Sequence, residues 1–208
     1  MQTDSDIYDD LRDFEASRWE VTTTDVQGFQ EVLASATNER PLQAYLQHHP
    51  QLLCAYLRSG PGDWVIRQKR LGAEYVPDFV IGCGNSGGFI WDFIELESPT
   101  AALTLANGQP ARGLRSAVHQ IECWRDWLKD NLDYARRGHA INGLGLRDVH
   151  PQANAKIVIG RRENSTPAHK RLKTRYREQY DVDIMSYDRL LENFESINGI
   201  IRRCRGDA

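Results

Sequence analysis

Two apolar, strand-like segments of this chain carry acids where a buried strand should have none. The first is Tyr75-Val76-Pro77-Asp78-Phe79-Val80-Ile81. The second is Phe89-Ile90-Trp91-Asp92-Phe93-Ile94-Glu95-Leu96-Glu97, followed by Ser98-Pro99. Between them, Gly82-Cys83-Gly84-Asn85-Ser86-Gly87-Gly88 reads as a flexible hairpin connection. A carboxylate inside an apolar strand costs free energy unless something pairs with it. A bound cation recovers that cost, and hard cations take oxygen ligands. Strand side chains alternate faces, so Glu95 and Glu97 share one face about 7 Å apart along the chain. Val76, Asp78 and Val80 share a face of the other strand. If the strands pair, Asp78 and Glu95 converge on one site. Asp92 points the other way and reads as a solvated or ion-paired acid. Spacing alone leaves a second reading open, in which Asp78 caps a turn and the two glutamates line a solvated edge.

Composition removes several classes. At 208 residues the chain suits one domain with a sizeable core, with or without an appendage. A hydrophobic share of 40% with 26% charged residues is that of an ordinary soluble globular protein. No apolar run is long enough to span a bilayer, and Met-Gln-Thr-Asp-Ser-Asp is too acidic to begin a signal peptide. The expected location is therefore cytoplasmic, with no membrane partner. The cysteines Cys54, Cys83, Cys123 and Cys204 lack paired spacing, which argues for reduced thiols and against a zinc cluster.

Along the chain, residues 1–20 read as a short helix or loosely held arm. Thr22-Thr23-Thr24-Asp25 can cap a helix running to about Ala36. Thr37-Asn38-Glu39-Arg40-Pro41 starts a second helix with Leu42, Tyr45 and Leu46 on one face, and Pro50 restarts it through Leu57. His48 and His49 sit at a helix end, where a capping role is expected rather than a metal site. Residues 60–63 form a turn, and 64–68 a strand that makes a meander with the acid-bearing pair. Leu114, Ala117, Val118, Ile121, Trp124 and Leu128 recur at helical spacing. Residues 130–153 read as a long surface loop. Strand 156–160, helix 166–180, strand 182–186 and a final helix from Tyr187 to Ile197 imply a parallel crossover.

The net charge of -3 excludes a wholly basic nucleic-acid binder but not a local basic surface. From Arg161 to Arg177, seven basic residues (Arg161, Arg162, Lys170, Arg171, Lys173, Arg175, Arg177) stand against Glu163 alone. Phosphate contacts come mainly from such side chains. Beside a metal-phosphodiester site this helix becomes a DNA track, with Lys69 and Arg70 as secondary candidates. No base-reading motif is present, so backbone binding is expected.

The order Val-Pro-Asp78-Phe, Ile-Glu95-Leu-Glu97-Ser-Pro and Gln120-Ile-Glu-Cys-Trp124 resembles the PD-(D/E)xK phosphodiesterase superfamily. In detail it resembles the nuclease domain of the Shedu bacterial anti-phage defence proteins. The resemblance covers roughly residues 38–198, including residues 42–50, Ile157 to Arg162 and Ser186 to Leu191. It implies an α/β fold: a restriction-endonuclease-like core with a mixed four- to five-stranded sheet flanked by helices. The implied division is an N-terminal helical assembly segment, 1–37, and a nuclease domain, 38–208. The implied activity is Mg²⁺- or Mn²⁺-dependent hydrolysis of DNA phosphodiesters by a homo-oligomer. Asp78 and Glu95 are the implied metal ligands, and Gln120 the residue that reaches the site. Glu97 stands where the superfamily usually has Lys. A Glu there binds a second cation, takes a proton from water, or marks a silent module that keeps the fold. Glu39 is a further candidate acid, although an acid favoured by the helix dipole is the preferred reading at that position.

Overall fold

The computed structural model describes residues 10–54, 62–162 and 166–206. Five strands form one sheet in the order β1 to β5: Gly62–Arg67, Phe79–Asn85, Gly88–Leu96, Asn154–Val158 and Val182–Met185. The first three are antiparallel neighbours, whereas β3–β4 and β4–β5 are parallel. This is the mixed α/β core expected from the sequence, with five strands. Seven α-helical segments are described in chain order: α1 Thr23–Ser35, α2 Arg40–His48, α3 Gln51–Cys54, α4 Arg112–Asp130, α5 Leu132–Arg136, α6 Pro167–Tyr180 and α7 Tyr187–Arg205.

The alternation of β3 builds two cores, one on each face of the sheet. Trp91 and Phe93 join Val80 and Ile157 beneath Leu114, Val118, Ile121 and Trp124 of α4 and Leu172 and Tyr176 of α6. On the other face, Ile94, Leu96, Phe79 and Val158 meet Phe29 of α1, Leu42 and Leu46 of α2, and Phe194 of α7. Asp92 is on this second face, buried, with Lys156 Nζ 2.7 Å from its carboxylate. It is the ion-paired acid that its register called for.

Several expected boundaries move. Residues 82–85, read as flexible connection, are strand, and only Ser86-Gly87 turn, because Asn85 pairs with Gly88. Glycine is required at 82 because a Cβ there would meet the Trp91 ring at 2.5 Å. Gly62 and Asp63 belong to β1 rather than to a turn. The restarted helix is described from Gln51 to Cys54, and its expected extension to Leu57 falls outside the described residues, as do positions 60 and 61 of the expected turn. Residues 130–153 are not a surface loop: α5 and a short 3-10 turn lie there, and Ala135, Leu146, Val149 and Ala153 are buried in the α4-side core. Those apolar positions are too widely spaced for any one period to show them. The final helix runs to Arg205 and ends at Gly206, which takes the left-handed conformation that glycine tolerates.

Sequence-read start signals hold. Thr22 and Asp25 form a reciprocal capping box on α1, and Thr166 caps α6 through the His169 N–H. His48 and His49 each donate from Nδ1 to the carbonyl four residues back, at 2.7 and 2.9 Å, closing the end of α2. Arg125 crosses from α4 to the carbonyls of Ala153, Tyr180 and Asp181, joining the start of β4 to the end of α6. This fixes the crossover that carries both parallel strands.

Candidate active site

The parallel strands β3, β4 and β5 all end at one edge of the sheet, and the acids gather there. Phe79 opposes Ile94, and continuing that register one step brings Asp78 opposite Glu95. Asp78 precedes β2 by one residue and Glu97 follows β3 by one. Both side chains thus leave the ladder where backbone pairing stops. Glu95 is within β3 and buried, on the α4 face.

Two amides hold the carboxylates. Gln120 Nε2 of α4 donates to Glu95 Oε1 at 2.7 Å. Gln43 Nε2 of α2 donates to Asp78 Oδ1 at 2.5 Å, and the Leu96 backbone N–H donates to Asp78 Oδ2 at 2.8 Å. Gln120 therefore reaches the acids, as its helical position allowed. Gln43 was not singled out from sequence. Its signal is its place one turn after Glu39, so that both face the same way from α2.

Glu39 occupies the N-cap of α2, the helix start expected of it, with no side-chain capping hydrogen bond. Its charge also bears on Asp78, Glu95 and Glu97. Position is set by a clasp: the Thr37 carbonyl accepts from Ser98 Oγ at 3.2 Å and from Thr100 Oγ1 at 3.1 Å. The clasp draws the start of α2 against the chain leaving β3, which places Glu39 among the acids.

The electrostatics are those of like charges short of water and of cations. Burial, then the Asp78 and Glu97 charges, push Glu95 up to about 9, against the Gln120 hydrogen bond. Burial, then Glu39 and Asp78, raise Glu97 to about 7. Burial raises Asp78 to about 6, with the Leu96 N–H opposing it and Glu39 adding to it. Tyr187, fully buried at the start of α7, is raised far above its usual value by burial and then by the Asp78, Glu39, Glu97 and Glu95 charges. Its hydroxyl donates to the Glu97 carbonyl at 2.8 Å. The neighbouring-strand lysine does not supply the missing cation, because Lys156 is committed to Asp92 on the opposite face.

Among the described residues no three His, Cys, Asp or Glu side chains stand together at spacing that could hold an ion. The donor set still fits a hard cation. It consists of carboxylate oxygens, Glu95 buried and Asp78 and Glu97 half-buried, whose proton affinities are raised first by desolvation. Asp78 and Glu95 are the most desolvated of the three and the ones oriented by amide donors.

The basic residues divide into two groups. Arg161 makes a bidentate contact with Asp188, at 3.0 and 2.9 Å to Oδ1. Arg162 grips Glu192, which also meets Arg189 at 3.6 Å. These arginines tie the end of β4 to α7. On α6, Lys170, Arg171 and Arg175 are exposed, whereas Lys173 is half-buried and its ammonium pKa is lowered by desolvation.

A mixed five-stranded α/β sheet with a buried carboxylate cluster at its strand ends defines the class of this domain. The family described as Shedu protein SduA, C-terminal, matches residues 36–191, three quarters of the chain. The chain belongs to that family. No curated protein matches it. Among solved structures, it is similar to the restriction endonuclease FokI bound to DNA, at 15% identity and a TM-score of 0.45. That similarity covers 97% of this chain but 31% of the FokI chain. Among the described residues no helix is long and apolar enough to cross a membrane.

Proposed function

We propose that this domain is a metal-dependent DNA endonuclease or nickase of the PD-(D/E)xK class, acting in anti-phage defence. One observation carries the reading: the β2–β3 register brings Asp78 opposite Glu95 at the strand ends, each held by an amide donor, Gln43 and Gln120. Asp78 and Glu95 would hold Mg²⁺ or Mn²⁺. The bound cation supplies charge stabilisation at the phosphoryl oxygens and lowers the pKa of water.

The chain's own residues do the rest. Gln43 and Gln120 fix the rotation of the two ligand carboxylates, so that neither has to reorganise during reaction. Glu97, one residue beyond β3 on the same strand face as Glu95, would take a proton from the attacking water. Its backbone is held by the Tyr187 hydroxyl and by its own N–H to the Val158 carbonyl at 2.9 Å. The exposed cations of α6 begin at the same sheet edge as the acids and suit the phosphate backbone of DNA. The defence role and homo-oligomeric assembly, with residues 1–37 as the assembly segment, rest on the family.

A second reading, a catalytically silent DNA-binding or assembly module, is favoured by Glu97 in place of Lys and by Lys156 facing away. Supercoiled plasmid incubated with the protein and Mg²⁺ or Mn²⁺ separates the two. The wild type should nick or linearise it, and Asp78→Ala and Glu95→Ala should reduce cleavage to background. Cleavage that survives both substitutions removes the site assignment. No cleavage by wild type with either cation favours the silent module.

A further inference from the structure

We propose that Arg115 and Arg175, with Arg112 and Arg171 beside them, form the track that leads the phosphate backbone of duplex DNA to the acids. The proposal rests on the DNA reading above and specifies where the strand runs. Arg112 and Arg115 fall on the first turn of α4, on the exposed side of that helix. The same turn contains Gly113, where a Cβ would lie 3.1 Å from Glu97 Oε2. Arg112 and Arg115 therefore belong to the helix turn that borders Glu97.

Helices α4 and α6 lie side by side over one sheet face, sharing the core of Val118, Ile121, Leu172 and Tyr176. Both start at the acid-bearing edge, because each follows a strand that ends there. Farther along, a cavity of about 510 Å³ opens between them, lined by His119 and Glu122 of α4 and Gln179 and Tyr180 of α6. One turn back toward the acids, the facing residues are Arg115 and Arg175. The Arg175 guanidinium lies 5.8 Å from the Tyr176 ring centroid. Arg115 and Arg175 both oppose the burial-driven rise of the Tyr176 pKa, while Glu122 adds to it.

Toward the helix starts the groove is flanked by Arg115 and Arg175, whereas farther along Glu122 and Asp126 join its lining beside Arg125, which is committed to backbone carbonyls. An anionic strand is drawn to the arginine half. Among the described residues, Arg112, Arg115 and Arg171 have no carboxylate partner. Arg161 and Arg162, by contrast, already spend their charge on Asp188 and Glu192. Neutralised cations release no phosphate counterions, so the free set dominates binding.

The test is equilibrium fluorescence anisotropy with the full chain and a labelled duplex of arbitrary sequence, in EDTA so that no cleavage intervenes. Arg115→Gln/Arg175→Gln should weaken binding at least about tenfold at about 100 mM KCl. It should also reduce the slope of log K against log salt by about 2, since each phosphate contact contributes about 0.9. Arg203→Gln, which removes one charge near the end of α7, should leave both within about twofold of wild type. Both variants alter exposed side chains, and their melting curves check the fold. If the double variant binds like wild type with an unchanged slope, the track is wrong and the DNA reading stands. If wild type binds no duplex, the track and the DNA reading fall together.

Discussion

The β2–β3 hairpin has two ends built on opposite principles. At the turn end, aromatic rings pack on one another. Trp64, Phe89 and Trp91 pack in sequence, with centroids 5.3 and 6.4 Å apart. Trp91 Nε1 donates to the Arg147 carbonyl at 2.6 Å, and the Arg147 guanidinium stands 5.8 Å from the Phe89 ring. At the open end, the same two strands deliver Asp78 and Glu95 side by side into a buried space without a cation. One end stores stability and the other spends it. A strained cluster persists only where the surrounding structure over-determines it, and here the aromatic end and the two cores do so.

Substitutions at the two ends should move stability in opposite directions. The largest effect is expected at the aromatic end: Trp91→Ala should cost about 3–5 kcal/mol, read as a lower urea midpoint, because it empties a core site under α4. A loss below about 1 kcal/mol would break the contrast. At the acid end, the metal-free protein should gain from Glu95→Gln at pH 8. Glu95 has its folded pKa raised from 4.5 to about 9, so its contribution is fully present below pH 4.5 and is lost as pH rises toward 9. Glu97 and Asp78 add losses over 4.5 to about 7 and 3.8 to about 6. The wild-type Tm should therefore decline between pH 5 and 9 in EDTA, on the order of 5 °C, and Glu95→Gln should flatten the decline. A Tm that rises over this range would contradict the assignment. Adding Mn²⁺ at pH 8 should restore part of the loss, by about 2.7 kcal/mol at one hundred times Kd, and should do nothing for Asp78→Ala/Glu95→Ala. The smallest effect is expected from Tyr187→Phe, about 1 kcal/mol for one hydrogen bond to the Glu97 carbonyl.

The hairpin, its acids and their shared face were legible because a two-residue period and a buried carboxylate are local signals. So were the α4 stripe and the caps at Thr22 and Thr166. The approach of Gln120 was implied by the family resemblance, while its helical position alone left an exposed Gln equally open. The nearness of Glu39 to the acids depends on the Thr37 clasp, a contact made across about sixty residues that no local pattern records. Gln43 and Tyr187 were hidden for the same reason. Arg161 and Arg162 looked free in sequence because Asp188 and Glu192 lie in another element. Charge counts along a chain register cations, but not the partners that folding brings to them.

Residue 97 sits one step beyond the last ladder position of β3, yet its backbone is held on both sides, by the Val158 carbonyl and the Tyr187 hydroxyl. The main chain there does not depend on which side chain it carries. Position 97 is thus a socket in which the charge of the active site can be exchanged while the scaffold stays as it is. Glu97→Lys becomes an experiment on charge with the main chain held, and Gly113, where a Cβ would lie 3.1 Å from Glu97 Oε2, is a neighbour that leaves room for it.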